Sequence, residues 1–191
     1  MLIKNDAARF GVVAQLFHWI TVALVVALFA VAFYMVDLPL SPEKIKVYNL
    51  HKSLGLTVLC LAVLRLAWRL VTPPPPLPHG MAAWERRAAQ TSHALLYAML
   101  FAQPLLGLVH SWAANFPIVI YGTITLPNPI GANEPLKNAV VAAHFWLGMA
   151  MLALIAVHTL AALKHHVVDR DDILRRMLPG AGPSKEAQTK T

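Results

Sequence analysis

Apolar residues lie along the chain in four long stretches, separated by polar or proline-rich segments. Each stretch is close to or above the roughly 20 residues that a helix needs to cross about 30 Å of hydrocarbon. None alternates apolar and polar residues as a barrel strand does, and within lipid only helices or closed barrels satisfy the backbone. The pattern therefore predicts an all-α fold, a four-helix antiparallel transmembrane bundle, with helices at about residues 11–36, 53–71, 91–112 and 139–163.

Composition supports a membrane protein over a water-soluble enzyme or a disordered chain. Of the 191 residues, 58% are hydrophobic and 13% are charged, against about 25% charged in soluble domains. The proline run at 73–76 ends the second stretch, because proline cannot continue a helix. The single cysteine, Cys60, excludes an internal disulfide and a CxxC site. We expect one transmembrane domain over residues 1–178 and a mobile polar tail over 179–191.

Basic residues are distributed unevenly between the two sides of the predicted bundle. Twelve of the 16 Lys and Arg residues lie at the N-terminus, around the loop after the second stretch, or at the C-terminal side. The positive-inside rule therefore predicts that both termini are cytoplasmic. The net charge of +7 is then a topological signal, and we expect no nucleic-acid partner.

Histidines fall within the predicted spans, where an ionisable group indicates function. His144 and His158 are 14 residues apart, which places them on nearly one helix face and about 21 Å apart along the axis. Each needs a partner at its own depth. Helix one begins inside, which places His18 near the inner surface, and helix two begins outside, which places His51 near the outer surface. The predicted pairs are His18 with His158 and His51 with His144.

Two imidazoles that face each other across a bundle suit the two axial positions of a b-type haem. A zinc site would need further ligands at the same depth, and none is evident. Gly55 and Gly148 each follow a proposed outer ligand by four residues, so each leaves room on the ligand's face for a porphyrin. Arg65 lies 14 residues after His51 and suits a haem propionate, or it is an arginine that reaches the interface.

The chain contains the segments LFHW at 16–19, HKSLG at 51–55, VLRLAWRL at 63–70, SHALLY at 92–97, AALKHH at 161–166 and LRRMLP at 174–179. Together these segments resemble the bacterial cytochrome b561 family over nearly all of residues 9–178. The resemblance implies that His18, His51, His144 and His158 are the ligands of two haem b groups. It also implies a multi-pass location in the bacterial inner membrane and electron exchange with quinone, with ubiquinone as substrate. Some members oxidise superoxide at the outer face, and related cytochromes are membrane subunits of hydrogenases and formate dehydrogenases.

Three functional classes remain at this point. In the first class, the chain is an oxidoreductase, resembling a superoxide:ubiquinone oxidoreductase, that accepts electrons from an outer-face donor or redox partner protein. In the second, it is a haem-bearing anchor that passes electrons from a hydrogenase or dehydrogenase to quinone. In the third, it is a non-haem transport or scaffold bundle. Four lysines on the predicted outer side either steer an anion such as superoxide or are ordinary interfacial lysines: Lys44, Lys46, Lys52 and Lys137.

Overall fold

The computed structural model describes residues 2–78 and 80–181. The four predicted helices are confirmed, and each is long and apolar enough to cross a membrane. They are α1 (Val12–Asp37), α2 (Pro42–Val71), α3 (Ala83–Ala113) and α4 (Glu134–Val167). Two short antiparallel strands, β1 (Ile118–Ile120) and β2 (Ile124–Leu126), lie between α3 and α4, and a 3-10 helix spans Arg175–Met177. Of the predicted mobile tail, residues 182–191 lie outside the described residues.

Three of the helices begin earlier than the hydropathy pattern predicts. Helix α2 begins 11 residues before the predicted position of 53, and its start is capped by Ser41, whose Oγ accepts a hydrogen bond from the Lys44 amide at 3.2 Å. Proline in the first turn is favourable because its missing N–H has no intrahelical partner there. The Asn133 side chain caps α4 in the same way. Polar first turns thus extend the helices beyond the apolar stretches, so hydropathy alone does not detect these turns.

Most apolar side chains on these helices face outward. In the most apolar 18-residue window of each helix, no more than 11% of the residues are buried within the protein. Exposed aliphatic and aromatic side chains occur on every helix, including Val26, Leu70, Leu105 and Leu160. Such a surface is unfavourable in water and suits contact with lipid chains. Lipid contact removes the apolar faces of the helices from water, so no large protein core is needed.

The chain divides into two compact units, each built from segments of all four helices. The first contains residues 1–20, 63–96 and 152–191. Its N- and C-terminal segments are joined by side-chain hydrogen bonds to backbone carbonyls. The buried Gln15 amide donates to the Arg176 and Leu178 carbonyls, and Trp19 Nε1 donates to the Met177 carbonyl at 2.9 Å. The chain after α4 is therefore ordered up to this point.

The second unit contains residues 21–62 and 97–151 and includes the strands, which the sequence pattern did not predict. The hairpin turns at Tyr121 and Gly122, both with positive φ, as a type I′ turn requires. Ser53 Oγ accepts a hydrogen bond from the Tyr121 amide at 2.9 Å, and the Tyr121 hydroxyl lies 2.7 Å from Thr57 Oγ1. These bonds attach the hairpin to α2 near His51.

Candidate functional site

In the second unit, the structure brings His51 of α2 and His144 of α4 together as predicted. Their ring centroids are 6.4 Å apart and the ring planes meet at 76°. A metal–imidazole bond is about 2 Å long, and in a five-membered ring with sides of about 1.35 Å each nitrogen lies about 1.15 Å from the centroid. Two imidazoles that bind one metal from opposite sides should therefore have centroids about 6.3 Å apart. The observed separation matches this arrangement.

Gln103 of α3 holds His144 at two points. The Gln103 amide Nε2 donates to the His144 carbonyl at 3.1 Å, and His144 Nδ1 lies 3.1 Å from the Gln103 backbone carbonyl. A carbonyl only accepts, so Nδ1 must carry the proton and donate. The other nitrogen, Nε2, then presents its lone pair, which is the form that a metal ligand requires.

Glycines at three positions near these histidines have different surroundings. A Cβ at Gly107 would lie 3.4 Å from His144 Cε1, an ordinary van der Waals contact, so the imidazole lies against α3 here without requiring glycine. A Cβ at Gly148 would meet Gln103 Nε2 at 2.8 Å, closer than normal contact. Gly148 therefore makes room for the Gln103 amide. In contrast, a Cβ at Gly55 meets no atom within 4 Å, so this glycine faces open space.

These groups line a cavity of about 340 Å³ within the second unit. Among the described residues that line it, three are histidines and one is lysine, none is acidic, and most others are apolar. One ring nitrogen of His51, Nδ1 in the assigned orientation, is buried without a hydrogen-bond partner in the described chain, although the Leu28 backbone interacts with this ring. Buried nitrogens are normally satisfied. The cavity thus fits a flat apolar group that brings a metal and acidic side chains.

In the first unit, four basic residues form a second cluster. His18 and His158 belong to it, together with Arg65 of α2 and His93 of α3. Arg65 Nη2 lies 3.1 Å from His18 Nδ1. The imidazole in ring contact with His158 is His93, with centroids 5.3 Å apart and planes at 66°. His93 was not among the ligands that the sequence pattern predicted.

The Arg65 contact determines the protonation of His18. A guanidinium only donates, so His18 Nδ1 accepts here and its proton lies on Nε2. Binding of a metal through Nε2 requires the opposite tautomer. This cluster therefore fits a bis-histidine haem only if Arg65 releases His18 or the ring turns over. Such a release would free Arg65 for a carboxylate, which is the role that its position in the sequence suggested.

The lysines of the predicted anion path have different surroundings. Lys44 donates to two backbone carbonyls at the end of α1, and Lys137 pairs with a glutamate one turn earlier. Lys46 is exposed. Lys52 lines the cavity, and its Nζ donates to a backbone carbonyl at 3.0 Å. The four lysines thus differ in the hydrogen-bond and ion-pair partners that their ammonium groups have within the described chain.

Four helices long enough to span a membrane, with clusters of partly buried histidines between them, are typical of a membrane cytochrome. The sequence model of the prokaryotic cytochrome b561 family matches residues 9–180, and the chain belongs to this family. Membership implies b-type haem, electron transfer and a multi-pass location in the bacterial inner membrane.

Curated relatives cover nearly the full chain. The chain is 36% identical to cytochrome b561 homolog 2 of Escherichia coli K12 over 180 residues, which are 93% of this chain and 95% of that protein. It is 29% identical to cytochrome b561 homolog 1 of the same organism, over 90% of this chain and 97% of that protein. It is 28% identical to the probable superoxide oxidase CybB of Yersinia pestis, over 85% of this chain and 91% of that protein.

Sequence reasoning missed the role of Gln103. Gly107 and Gly148 lie on two different helices. Only the tertiary structure places Gly107 beside His144 and Gly148 beside the Gln103 amide. The His93–His158 contact was missed because spacing within one helix does not identify neighbours on another.

Proposed function

We propose that the protein is a dihaem b-type cytochrome that transfers electrons between an outer-face donor, superoxide, and ubiquinone. His51 and His144 bind one haem, and His18 and His158 bind the other. The observation that carries this proposal is the 6.4 Å separation of the His51 and His144 rings, supported by a hydrogen bond that leaves His144 Nε2 free. When bound, each haem would supply one-electron redox chemistry.

The chain's own residues position and enclose these groups. Gln103 fixes the tautomer and orientation of His144 through its backbone carbonyl. Gly55 leaves the α2 backbone open to a flat ligand, and Gly148 leaves room for the Gln103 amide. In the other cluster, Arg65 exchanges its contact with His18 for a haem carboxylate, a charge-assisted bond that is stronger than one to a neutral imidazole.

The overall reaction balances with superoxide as donor and quinone as acceptor. Two superoxide ions each lose one electron and leave as dioxygen, and the quinone takes two electrons and two protons to become a quinol. Superoxide as donor is supported by the name of the Yersinia pestis relative, and ubiquinone by the resemblance to quinone-linked members of the family. The distribution of lysine and arginine supports cytoplasmic termini, and with that orientation the His51–His144 cluster would lie on the outer side.

Haem content and histidine replacement test the ligand assignment. The purified protein should contain two haems per chain, and a redox titration of the reduced α-bands should resolve two components. Replacing His51 or His144 with alanine should remove one α-band component. Replacing His18 or His158 with alanine should remove the other component. If His18→Ala and His144→Ala remove the same component, the pairing is wrong. A chain without α-bands would instead support a non-haem bundle.

A second experiment tests the donor and acceptor. Purified protein in lipid nanodiscs is mixed with superoxide, generated by xanthine oxidase, and with a soluble ubiquinone analogue. Quinol should form only when protein and superoxide are both present, and His144→Ala should abolish it. Rapid haem reduction by a co-purifying dehydrogenase, with no reduction by superoxide, would support the anchor function in place of the proposed one.

A further inference from the structure

Lys52 is a half-buried cation beside a proposed ligand. It follows His51 on α2 and lines the same cavity. Its Nζ donates to the Pro117 carbonyl at 3.0 Å and lies 3.8 Å from the centroid of the Phe116 ring. An ammonium has three donors and a full charge. A neutral carbonyl and a ring face satisfy only part of this capacity.

No protein carboxylate completes the site. In residues 2–78 and 80–181, the structure contains no acidic group within ion-pair distance of Lys52 Nζ. The described residues that line the cavity also include no Asp or Glu. A charge that is partly removed from water is costly without a counter-charge. A ligand that brings its own anion would therefore be stabilised here.

His110 of α3 adds a second polar group to the same cavity. Its ring lines the cavity with Lys52 and interacts electrostatically with both Lys52 and His144. Elsewhere the lining is mainly aliphatic and aromatic, as at Phe29, Val58 and Met151. The complementary ligand is an apolar body that carries carboxylates at one edge and a metal between His51 and His144.

We infer that Lys52, assisted by His110, binds the carboxylate side chains of the haem held by His51 and His144. This inference rests on the proposed function and adds to it the residues that orient the haem within the cavity. It also distinguishes Lys52 from the exposed Lys46. Lys52 anchors a bound carboxylate, and its main effect is on haem retention and not on the encounter rate with a free anion.

Haem retention in matched lysine variants tests this role. Lys52→Gln and Lys46→Gln each remove one charge from α2, and Lys52→Arg keeps the charge. Each full-length variant is mixed with excess apomyoglobin, which captures released haem, and loss of the outer α-band component is followed. We expect Lys52→Gln to lose this haem at least about 10-fold faster, as removal of a charge-assisted hydrogen bond predicts. Lys52→Arg should restore most of the retention, and Lys46→Gln should match the wild type.

Haem with esterified propionates provides an independent measurement. The dimethyl ester has the same ring and iron but no carboxylates. The wild type and Lys46→Gln should retain ordinary haem longer than the ester at this site, whereas in Lys52→Gln the difference between the two should be much smaller, because only His110 remains to bind the carboxylates. In the samples with ordinary haem, the inner α-band component reports whether the variant is folded.

The outcomes separate this inference from the proposed function. If the wild type holds the outer haem and Lys52→Gln retains it as well as Lys46→Gln does, the anchoring role is wrong and the dihaem assignment stands. A variant with normal retention but a slower, less salt-dependent reaction with superoxide would identify Lys52 as a steering residue and overturn the inference. If the wild type binds no outer haem, the proposed function itself fails.

Discussion

Replacement of Gly55 tests whether α2 faces a flat ligand at this position. In the structure, a Cβ at Gly55 meets no protein atom within 4 Å. If nothing else occupies this space, alanine should be tolerated, and helix propensity alone would favour it by up to about 1 kcal/mol. If a porphyrin lies against the backbone, the added methyl group must displace it.

The size of the effect follows from the cost of overpacking. An extra methyl group in a filled site costs about 1–3 kcal/mol. The gain in helix propensity applies equally with and without haem, so it does not enter the binding equilibrium. Gly55→Ala should therefore weaken binding of the outer haem by about 5- to 150-fold. Gly55→Leu, whose side chain extends further into the cavity, should eliminate this haem.

The assay is haem stoichiometry together with reductive titration of the α-bands in detergent. Gly55→Leu should contain one haem per chain and retain the inner component. Ala67→Leu is the matched control, because it adds bulk at an exposed position of the same helix, and it should retain both haems. Two haems with unchanged titration in Gly55→Leu would refute the interpretation that the open space beside Gly55 holds the porphyrin.

The remaining predictions concern individual contacts. Gln103→Leu removes the hydrogen bond from the Gln103 side-chain amide to the His144 carbonyl, and Gly148→Ala displaces the same amide group. Each variant should weaken binding of the outer haem by about 1 kcal/mol. Measured as outer-haem affinity, the double variant should be no worse than either single one, and additive effects would contradict a shared cause. His93→Ala should keep both haems and change only the spectrum or potential of the inner one, so loss of that haem would make His93 a ligand. Gly11→Ala should lower the thermal midpoint measured by the unfolding of purified protein, because its Cβ would overlap the backbone of residues 3 and 4. An unchanged midpoint would show that the N-terminal segment moves away at little cost.

The helices were predictable because the bilayer imposes a simple requirement. A stretch of about 20 apolar residues can satisfy its backbone in lipid only as a helix or a closed barrel, so hydropathy alone identified four spans. It placed the start of α2 too late, because Pro42 and Ser41 continue the helix into a polar environment. The strands β1 and β2 were missed because three-residue strands carry too little pattern to be recognised.

The sequence by itself determined which imidazoles share a helix face, since spacing along a helix sets direction and depth. On that basis it paired His51 with His144, which the structure places at a separation suited to a shared metal. Only the tertiary structure decided what lies beside each ring: Gln103 beside His144, Arg65 beside His18 and His93 beside His158. Helical periodicity specifies the side of a helix on which a residue lies, but the neighbour across the interface depends on the rotation and packing of a different helix. A residue's chemical role depends on that neighbour, and therefore on contacts that no single stretch of sequence contains.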